Sequence, residues 1–254
     1  MNTFLTIANR DFKSYFYSIK GWAVFWFALF FTGMFFWSFV ATYIELNQQS
    51  VMPQSSAPEL NQLLTAIFHN LHFILLLIVP AISMTSFAEE RKSQTLRLLQ
   101  CSPITTFQIV LGKFFACFSV LSLVLIATMI YPLYTIIFGT PDLGQIFSSY
   151  LGLFLLMSGQ AALGLWISSL CKNQFLAFLF TMGGVFFLMI LNWIAPNLAE
   201  NNGLEGAVKY LATTTHLDQL FKGLITTADI SYFLIFTIFF IYLTYVSIDS
   251  LRWR

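Results

Sequence analysis

The sequence predicts an all-α polytopic membrane protein, and its composition is the first reason. Of its 254 residues, 58% are hydrophobic and only 9% are charged, whereas soluble domains carry about a quarter charged residues. The chain also contains 30 Phe and 6 Trp, which is far more large aromatic side chains than a water-soluble core of this length uses. A chain of this composition belongs in a lipid bilayer.

The second reason is the length of the apolar runs. A helix needs about 20 apolar residues to cross the hydrocarbon core, and the chain contains six runs of that kind. We predict transmembrane helices at 21–44, 66–87, 107–138, 146–170, 174–195 and 230–250, within a single transmembrane domain that spans residues 1–254. Pro80 and Pro132 fall inside the second and third runs, where we expect them to kink the helices.

Residues 1–20 are too polar to span and instead predict an amphipathic helix in the membrane interface. The apolar residues that recur at helical spacing are Phe4, Leu5, Ala8, Phe12, Tyr15, Phe16 and Ile19. Arg10, Lys13 and Lys20 lie off that stripe, where they could meet lipid phosphates.

A longer polar segment, 196–229, lies between the fifth and sixth runs and predicts short surface helices. Its apolar residues at helical spacing are Leu217, Leu220, Phe221, Leu224 and Ile225, and Thr215 is the predicted N-cap. A helix of this length cannot cross the bilayer.

The distribution of Lys and Arg predicts the orientation. Ten of these residues fall on one side of the predicted spans: Arg10, Lys13, Lys20, Arg91, Lys92, Arg97, Lys113, Lys172, Arg252 and Arg254. Only Lys209 and Lys222 fall on the other side. We therefore expect both termini to be cytoplasmic.

A dense polar segment, "SFAEERKSQTLRLLQCSPITTFQIVLGK" at 86–113, interrupts this apolar chain. "SQTLRLLQ" predicts a short helix with Leu96 and Leu99 on one face and Arg97 off it. Ser102 and Pro103 then predict the N-cap and first residue of the third span. Two leucines exposed on such a loop favour a docking surface for another protein, with a loop folded onto its own helices as the alternative.

The stretch "EERKSQTLRLLQCSPITTFQIVLGK" resembles the segment between the second and third spans of ABC-2 type permeases, the six-span subunits of ATP-driven transporters. The matching residues are Glu89, Glu90, Arg91, Thr95, Leu96, Leu98, Leu99, Pro103, Gly112 and Lys113. Ser93-Gln94 stands where the family usually has a glycine, and Arg97 where an acid is common. The resemblance covers essentially the whole chain and is closest to compact permeases of the gliding-motility and copper-maturation type.

This resemblance implies that 93–100, within a cytoplasmic loop at 88–106, is a coupling helix that contacts a separate ATPase. The implied contact residues are Glu89, Glu90, Arg91, Thr95, Leu96, Arg97, Leu99 and Gln100. It also implies two copies of a cytosolic ABC ATPase subunit, a second permease (a homodimer or a related heterodimer), and a bacterial inner membrane. The chain has no G-x-x-x-x-G-K-[ST] phosphate loop, so we expect ATP and Mg in the partner, no cofactor here, and no enzyme activity of the chain itself.

An intramembrane metalloprotease is an alternative that would use Glu89 and Glu90 together with His69 and His72. A prenyl-protease motif, E-E-x-x-x-R, fails because its sixth position is Gln94. His72 and Glu89 are also about 25 Å apart on a straight helix, whereas zinc ligands lie about 2 Å from one ion. We therefore predict no catalytic or metal-binding residues.

No Asp, Glu, Lys, Arg or His lies near the middle of a predicted span. Ion-coupled carriers usually need such a group, so this pattern favours an external energy source. It also favours an amphipathic or lipid-like substrate, although the sequence assigns no substrate path. The family resemblance implies that the substrate is exported by alternating access. The deepest polar residues, Ser158, Gln160, Thr181 and Asn192, are expected to bond neighbouring helices.

The second functional hypothesis is a membrane scaffold or channel that anchors a cytosolic partner other than an ATPase. With a net charge of +1, nucleic acid is not an expected partner.

Overall fold

The computed structural model describes residues 3–49, 60–95, 104–138, 141–194, 206 and 210–250, and these ranges are helical, without a strand. The helices are α1 (Thr3–Tyr17), α2 (Ile19–Gln49), α3 (Leu60–Lys92), α4 (Thr106–Thr128), α5 (Ile130–Phe138), α6 (Leu143–Leu170), α7 (Gln174–Ile194), α8 (Thr213–Phe221) and α9 (Thr227–Ser250). Within these ranges, six stretches are long and apolar enough to span a membrane: Gly21–Glu45, Leu64–Lys92, Thr106–Ile137, Leu143–Leu170, Gln174–Trp193 and Thr227–Ser250. The predicted all-α fold with six spans is confirmed.

Helix α6 is the centre of the bundle, since it packs against α3, α4, α7, α8 and α9. Its small residues allow this close packing. A Cβ on Gly164 would overlap the Ser83 hydroxyl of α3, and a Cβ on Gly159 would lie 2.9 Å from the Phe236 ring of α9. Small residues at these positions let neighbouring helices approach, as the packing of membrane helices requires.

Polar contacts tie four helices together at one end of the bundle. The backbone N–H groups of Phe87 and Ala88, on α3, donate to Ser168 Oγ of α6 at 3.2 and 3.1 Å. Thr106 Oγ1, at the start of α4, donates to Asp249 Oδ1 near the end of α9 at 3.1 Å. We call this end the basic end, because it carries Arg10, Lys13, Arg91, Lys92, Lys113 and Lys172. These six of the ten charges that predict the orientation therefore lie at one physical end of the molecule.

Helix α8 covers the opposite end of the bundle. The Gln145 side chain, near the start of α6, donates to the carbonyl of Phe221 at 2.8 Å. Ser148 Oγ donates to the carbonyl of Leu220 at the same distance. Leu217, Leu220 and Phe221 are fully buried, so α8 is an integral part of the bundle.

The predicted limits of this short helix are wrong. Helix α8 begins at Thr213 after Ala212, and Thr215 lies inside it. The helix ends early because Gly223 adopts a left-handed conformation with φ +88°. The N–H groups of Gly223 and Leu224 then bond to carbonyls of the last turn at 3.1 and 3.0 Å, which is a Schellman motif. Leu224 and Ile225 therefore lie beyond the helix.

Two helix boundaries near the basic end also differ from the prediction. Helix α3 continues through Lys92, so 88–92 is helical rather than part of a loop. Helix α4 begins after Thr105, whose hydroxyl and the Gln108 side chain form a capping box. The N-cap is therefore not Ser102, because this reciprocal pair satisfies two backbone N–H groups where a single serine satisfies one.

The two prolines affect their helices differently. Helix α3 runs without interruption through Pro80. The third span breaks at Met129, between α4 and α5 and three residues before Pro132. A proline removes one backbone donor and crowds the preceding turn, which accounts for the break at this position.

A buried polar cluster joins α8 to the start of α9. His216 Nδ1 lies 2.6 Å from Asp229 Oδ1, and His216 Nε2 lies 3.0 Å from the carbonyl of Tyr210. The Thr226 hydroxyl donates to the other Asp229 oxygen, and Tyr232 stacks on His216 with ring centroids 4.2 Å apart. The His216 and Asp229 side chains are only 8% and 2% exposed.

We expect Asp229→Ala to lower the free energy of unfolding by about 2–4 kcal/mol, because His216 and Thr226 lose a buried partner. Asp218→Ala is the matched control. Asp218 faces His69 at 3.6 Å, but both side chains are about 40% exposed, so its loss should cost less than about 1 kcal/mol. Thermal unfolding of both variants in detergent measures the difference. Equal losses of stability would contradict the structural role of the buried pair.

Candidate functional site

The predicted contact residues fall partly within the described structure. Glu89, Glu90 and Arg91 lie on the last turn of α3, and Thr95 lies just beyond it. The remaining predicted residues, Leu96, Arg97, Leu99 and Gln100, lie outside the described residues. The site can therefore be described from its membrane side, where α3 ends and α4 begins.

A buried lysine organises this side of the site. Lys113, on the second turn of α4, has a side chain that is only 3% exposed. Its ammonium lies 3.2 Å from Asp11 Oδ2 of α1 and 2.8 Å from Glu90 Oε1 of α3. It also donates to the carbonyl of Ser86 at 2.7 Å. These three acceptors match the three hydrogens of an ammonium group, so one side chain connects α1, α3 and α4.

Neighbouring groups extend this cluster. Arg10 contacts Asp11 Oδ1 at 2.8 Å and Glu90 Oε1 at 3.4 Å, so each acid faces two cations. The Lys113 ammonium also lies 5.1 Å from the centre of the Phe87 ring, within the range of a cation–π contact. The sequence predicts that Arg10 meets lipid phosphates, but in the structure its guanidinium contacts Asp11 and Glu90.

Tyr15 adds a hydrogen bond between α1 and α3. Its hydroxyl donates to the carbonyl of Ile82 at 2.7 Å and lies 2.8 Å from Thr85 Oγ1. Burial raises the pKa of Tyr15 well above its ordinary value, so the hydroxyl remains a donor across the physiological pH range.

Arg91 faces the other way from Glu90 and joins α3 to α6. Its guanidinium donates to the carbonyl of Ser169 in the last turn of α6. The positive charge of Arg91 also interacts favourably with the partial negative charge at the C-terminus of α6. The last turn of α3 is thus held on one side by α1 and α4 and on the other by α6.

Gly112 explains how α1 comes close enough to Lys113. A Cβ at Gly112 would lie 3.0 Å from the Ile7 side chain and 3.0 Å from the carbonyl oxygen of Phe4. Any larger side chain would push α1 away. In the "LGK" sequence, Gly112 leaves room for α1, and Lys113 binds Asp11 of α1.

The turn that follows α3 has a left-handed residue. Gln94 has φ +62°, a conformation that glycine adopts without the steric cost that a Cβ imposes. The Ser93 hydroxyl donates to the carbonyl of Glu89 at 2.9 Å and so closes the last turn. The position before Thr95, where similar permeases usually have glycine, therefore has a backbone that favours glycine.

A cavity of about 570 Å³ lies beside this cluster, between α1, the start of α2, the end of α3 and α4. Its polar lining includes Arg10, Asp11, Glu89, Glu90 and Lys113, together with the hydroxyl groups of Ser14, Thr85, Ser93 and Thr95. Its apolar lining includes Val24, Ala81, Ile82, Met84 and Ala116. The cavity is large enough for a small organic ligand.

Two of the four polar residues predicted to be deep in the spans bond to a neighbouring helix, as expected. Ser158 lies 3.1 Å from Thr237 Oγ1 of α9, and Asn192 accepts from the Thr215 hydroxyl of α8 at 3.2 Å. Thr181 donates to a backbone carbonyl of its own helix. Gln160 differs, since its Oε1 is buried and has no donor among the described residues.

Metal chemistry has no support among the described residues, where no group of three or more His, Cys, Asp or Glu side chains could hold an ion. His72 is buried, at 2% exposure, whereas His69 reaches outward to Asp218. His72 and Glu89 lie on the same helix, α3, which keeps them as far apart as the sequence predicts.

Asp11 is not among the predicted site residues. Asp11 and Lys113 are 102 positions apart in the sequence, and no local sequence pattern links the two. A signal was nevertheless available. Asp11 is an acid beside the apolar stripe of an interfacial helix, and Lys113 is a cation inside an apolar run, so each needed a partner.

We expect Lys113→Ala to lower the free energy of unfolding by about 3 kcal/mol, because two neighbouring acids lose their shared cation. Trypsin should also cleave α1 faster after Arg10 and Lys13, since α1 loses its attachment to α4. Lys172→Ala, at an exposed position, is the control and should change stability by less than about 0.5 kcal/mol. Identical melting and cleavage for the two variants would show that the cluster does not hold α1.

Comparison with known proteins identifies the family of this chain. A search of curated proteins found no match. The family model described as "ABC-2 family transporter protein" matches residues 5–249, which is nearly the whole chain. The match begins two residues into α1, ends one residue before the end of the sixth span, and includes the site at the end of α3. The chain therefore belongs to the ABC-2 family of transporter proteins, as a membrane permease component of an ABC transporter.

Proposed function

We propose that this permease exports an amphipathic or lipid-like substrate across a bacterial inner membrane, driven by two copies of a separate cytosolic ABC ATPase. The basic end then faces the cytoplasm, together with both termini. ATP and Mg bind in the ATPase, and this chain supplies the path through the membrane. A second permease, identical or related, completes the transporter.

The observation that carries the proposal is the way in which both ends of the segment 88–113 are anchored. On the α3 side, Glu90 bonds to Lys113 and Arg91 bonds to α6. On the α4 side, Lys113 bonds to α1, and Thr106 bonds to α9. A force applied to the residues between these anchors is therefore transmitted to several helices at once.

The residues between the anchors are the ones that contact the ATPase in this proposal. The segment 93–100 would enter a groove of the ATPase with Leu96 and Leu99, while Glu89, Glu90 and Arg91 lie at its base. Its predicted helix cannot begin at residue 93, because Ser93 and Gln94 form the turn after α3. ATP-driven closure of the two ATPases moves this segment, and the ends of α1, α3, α4 and α6 follow it. Alternating access results when that motion rearranges the interface between two permeases.

The nature of the spans supports the proposed substrate class. The ion pairs described above lie at the two ends of the bundle, and the exposed surfaces of α2, α7 and α9 are largely aromatic and aliphatic. Such surfaces provide no charge with which to hold a polyanion. An amphipathic molecule can follow them from the membrane.

The double variant Leu96→Asp with Leu99→Asp should lose the ATPase while it remains folded, because two carboxylates cannot enter an apolar groove without large desolvation costs. The measurement is purification in mild detergent, followed by mass spectrometry of the proteins that remain bound. We expect the unaltered chain to retain a stoichiometric partner that carries a phosphate loop and the double variant to lose it.

Leu211→Asp with Leu224→Asp is the matched control, since both leucines are exposed at the opposite end of the molecule. This control should retain the ATPase. If the Leu96 and Leu99 variant also kept its ATPase and transported normally, 93–100 would not be the coupling helix. A folded chain that never carries an ATPase would favour the scaffold or channel alternative.

A further inference from the structure

The cavity beside Lys113 has a lining whose polarity changes in one direction along α3. Ala81 and Ile82 are apolar, Thr85 follows about one turn later with a hydroxyl, and Glu89 and Glu90 carry carboxylates. The distance from Ala81 to Glu90 along the helix axis is roughly 13 Å. The site therefore matches an elongated ligand with an apolar part and a polar end.

The charges at the polar end favour a cation. Three acids and two bases line the cavity, so its formal charge is negative. The ammonium of Lys113 has three acceptors within 3.2 Å and therefore has no hydrogen left for an anion. Arg10 is engaged with Asp11 and Glu90. An anionic ligand would meet three acids, and its donors would be the remaining N–H groups of Arg10, whose side chain is 55% exposed.

One acceptor in this cavity has no donor. Glu90 Oε1 accepts from Lys113 and Arg10, whereas Glu90 Oε2 is buried and has no hydrogen-bond partner. A buried carboxylate oxygen without a donor costs free energy, which a ligand N–H group can recover. An ammonium group supplies both the missing donor and the opposite charge.

We propose that this cavity binds amphipathic primary amines, with the ammonium group at the Glu90 carboxylate and the apolar chain against Val24, Ala81, Ile82 and Ala116. The hydroxyl groups that line the middle of the cavity accept the remaining ammonium hydrogens. A volume of about 570 Å³ accommodates an amine with a single chain of moderate length. The amine belongs to a membrane aminolipid or to a separate amphiphile, and the two sources share this chemistry.

Helix α1 places the cavity beside the region expected to hold lipid headgroups. Helix α1 forms one wall and has Leu5 and Tyr17 exposed at 54% and 89%, as expected for a helix in the lipid headgroup region. Amphipathic amines concentrate in the same region. The ligand thus has a short route from the lipid headgroups to the cavity.

Native mass spectrometry of the purified full-length chain in detergent tests the proposal, with dodecylamine as the probe and dodecanol as its uncharged counterpart. We expect dodecylamine to bind and dodecanol to bind at least about tenfold more weakly, because the charged hydrogen bond is lost. Glu90→Gln should weaken dodecylamine binding by a similar factor. Glu45→Gln, the same change at an exposed position on α2, should leave binding unchanged.

Ala81→Phe keeps the test decisive if Glu90→Gln impairs folding, because it fills the apolar part and leaves the ion pairs in place. It should abolish dodecylamine binding without a change in melting temperature. Equal binding of dodecylamine and dodecanol, unchanged binding to both cavity variants, or no binding at all would overturn the proposal.

Lipid competition identifies the source of the amine. Phosphatidylethanolamine, which carries a primary ammonium, should displace dodecylamine if the ligand is a membrane lipid, whereas phosphatidylcholine has no N–H group and should not. Displacement by neither lipid, with dodecylamine still dependent on Glu90, identifies a separate amphiphilic amine. Equal displacement by both lipids would contradict recognition of an ammonium donor. The test requires no ATPase, so a negative result leaves the proposed function in place.

Discussion

The buried Lys113 ammonium is the interaction on which the basic end of this permease depends. Removing an ammonium group from water costs several kcal/mol, which only well-placed acceptors can offset. Here those acceptors come from Asp11, Glu90 and the carbonyl of Ser86, on two different helices. Because the lysine is stable in this site only when both helices are in place, it fixes where α1 and the end of α3 lie relative to α4.

The end of α3, which Lys113 holds, is also bonded to α6 at the centre of the bundle. Glu90 is followed by Arg91, which bonds to the last turn of α6, and Ser168 of α6 accepts two backbone N–H groups of α3. Helix α6 in turn packs against most of the other helices. The segment that follows α3 is therefore attached to the most central element of the fold and not only to the helices on either side of it.

The sequence predicts the spans well because their length is set by an external constraint, the thickness of the bilayer. The close packing at Gly159 and Gly164 also has a local origin, because a small side chain lets a neighbouring helix approach. These features depend on local composition. They need no knowledge of which helix is the neighbour.

The pairing of Asp11 with Lys113 could not be predicted in that way, since the two residues are 102 positions apart and only the packing of α1 on α4 brings them together. The N-cap of α4 was missed for a different reason. Two candidate starts, Ser102-Pro103 and Thr105 with Gln108, lie within a few residues, and the second makes two reciprocal hydrogen bonds. The end of α8 was predictable, because Gly223 follows the last buried turn, where a glycine commonly ends a helix.

A contrast between long and short helices accounts for where this protein places its buried charges. The hydrophobic thickness of the bilayer positions a span along the membrane normal, but it does not position a short helix such as α1 or α8. Each of these short helices contributes one member of a buried polar pair to a spanning helix: Asp11 with Lys113 of α4, and His216 with Asp229 of α9. Both pairs cost desolvation and gain little net stability. Their benefit is a defined position for two helices that the lipid alone would leave free to slide.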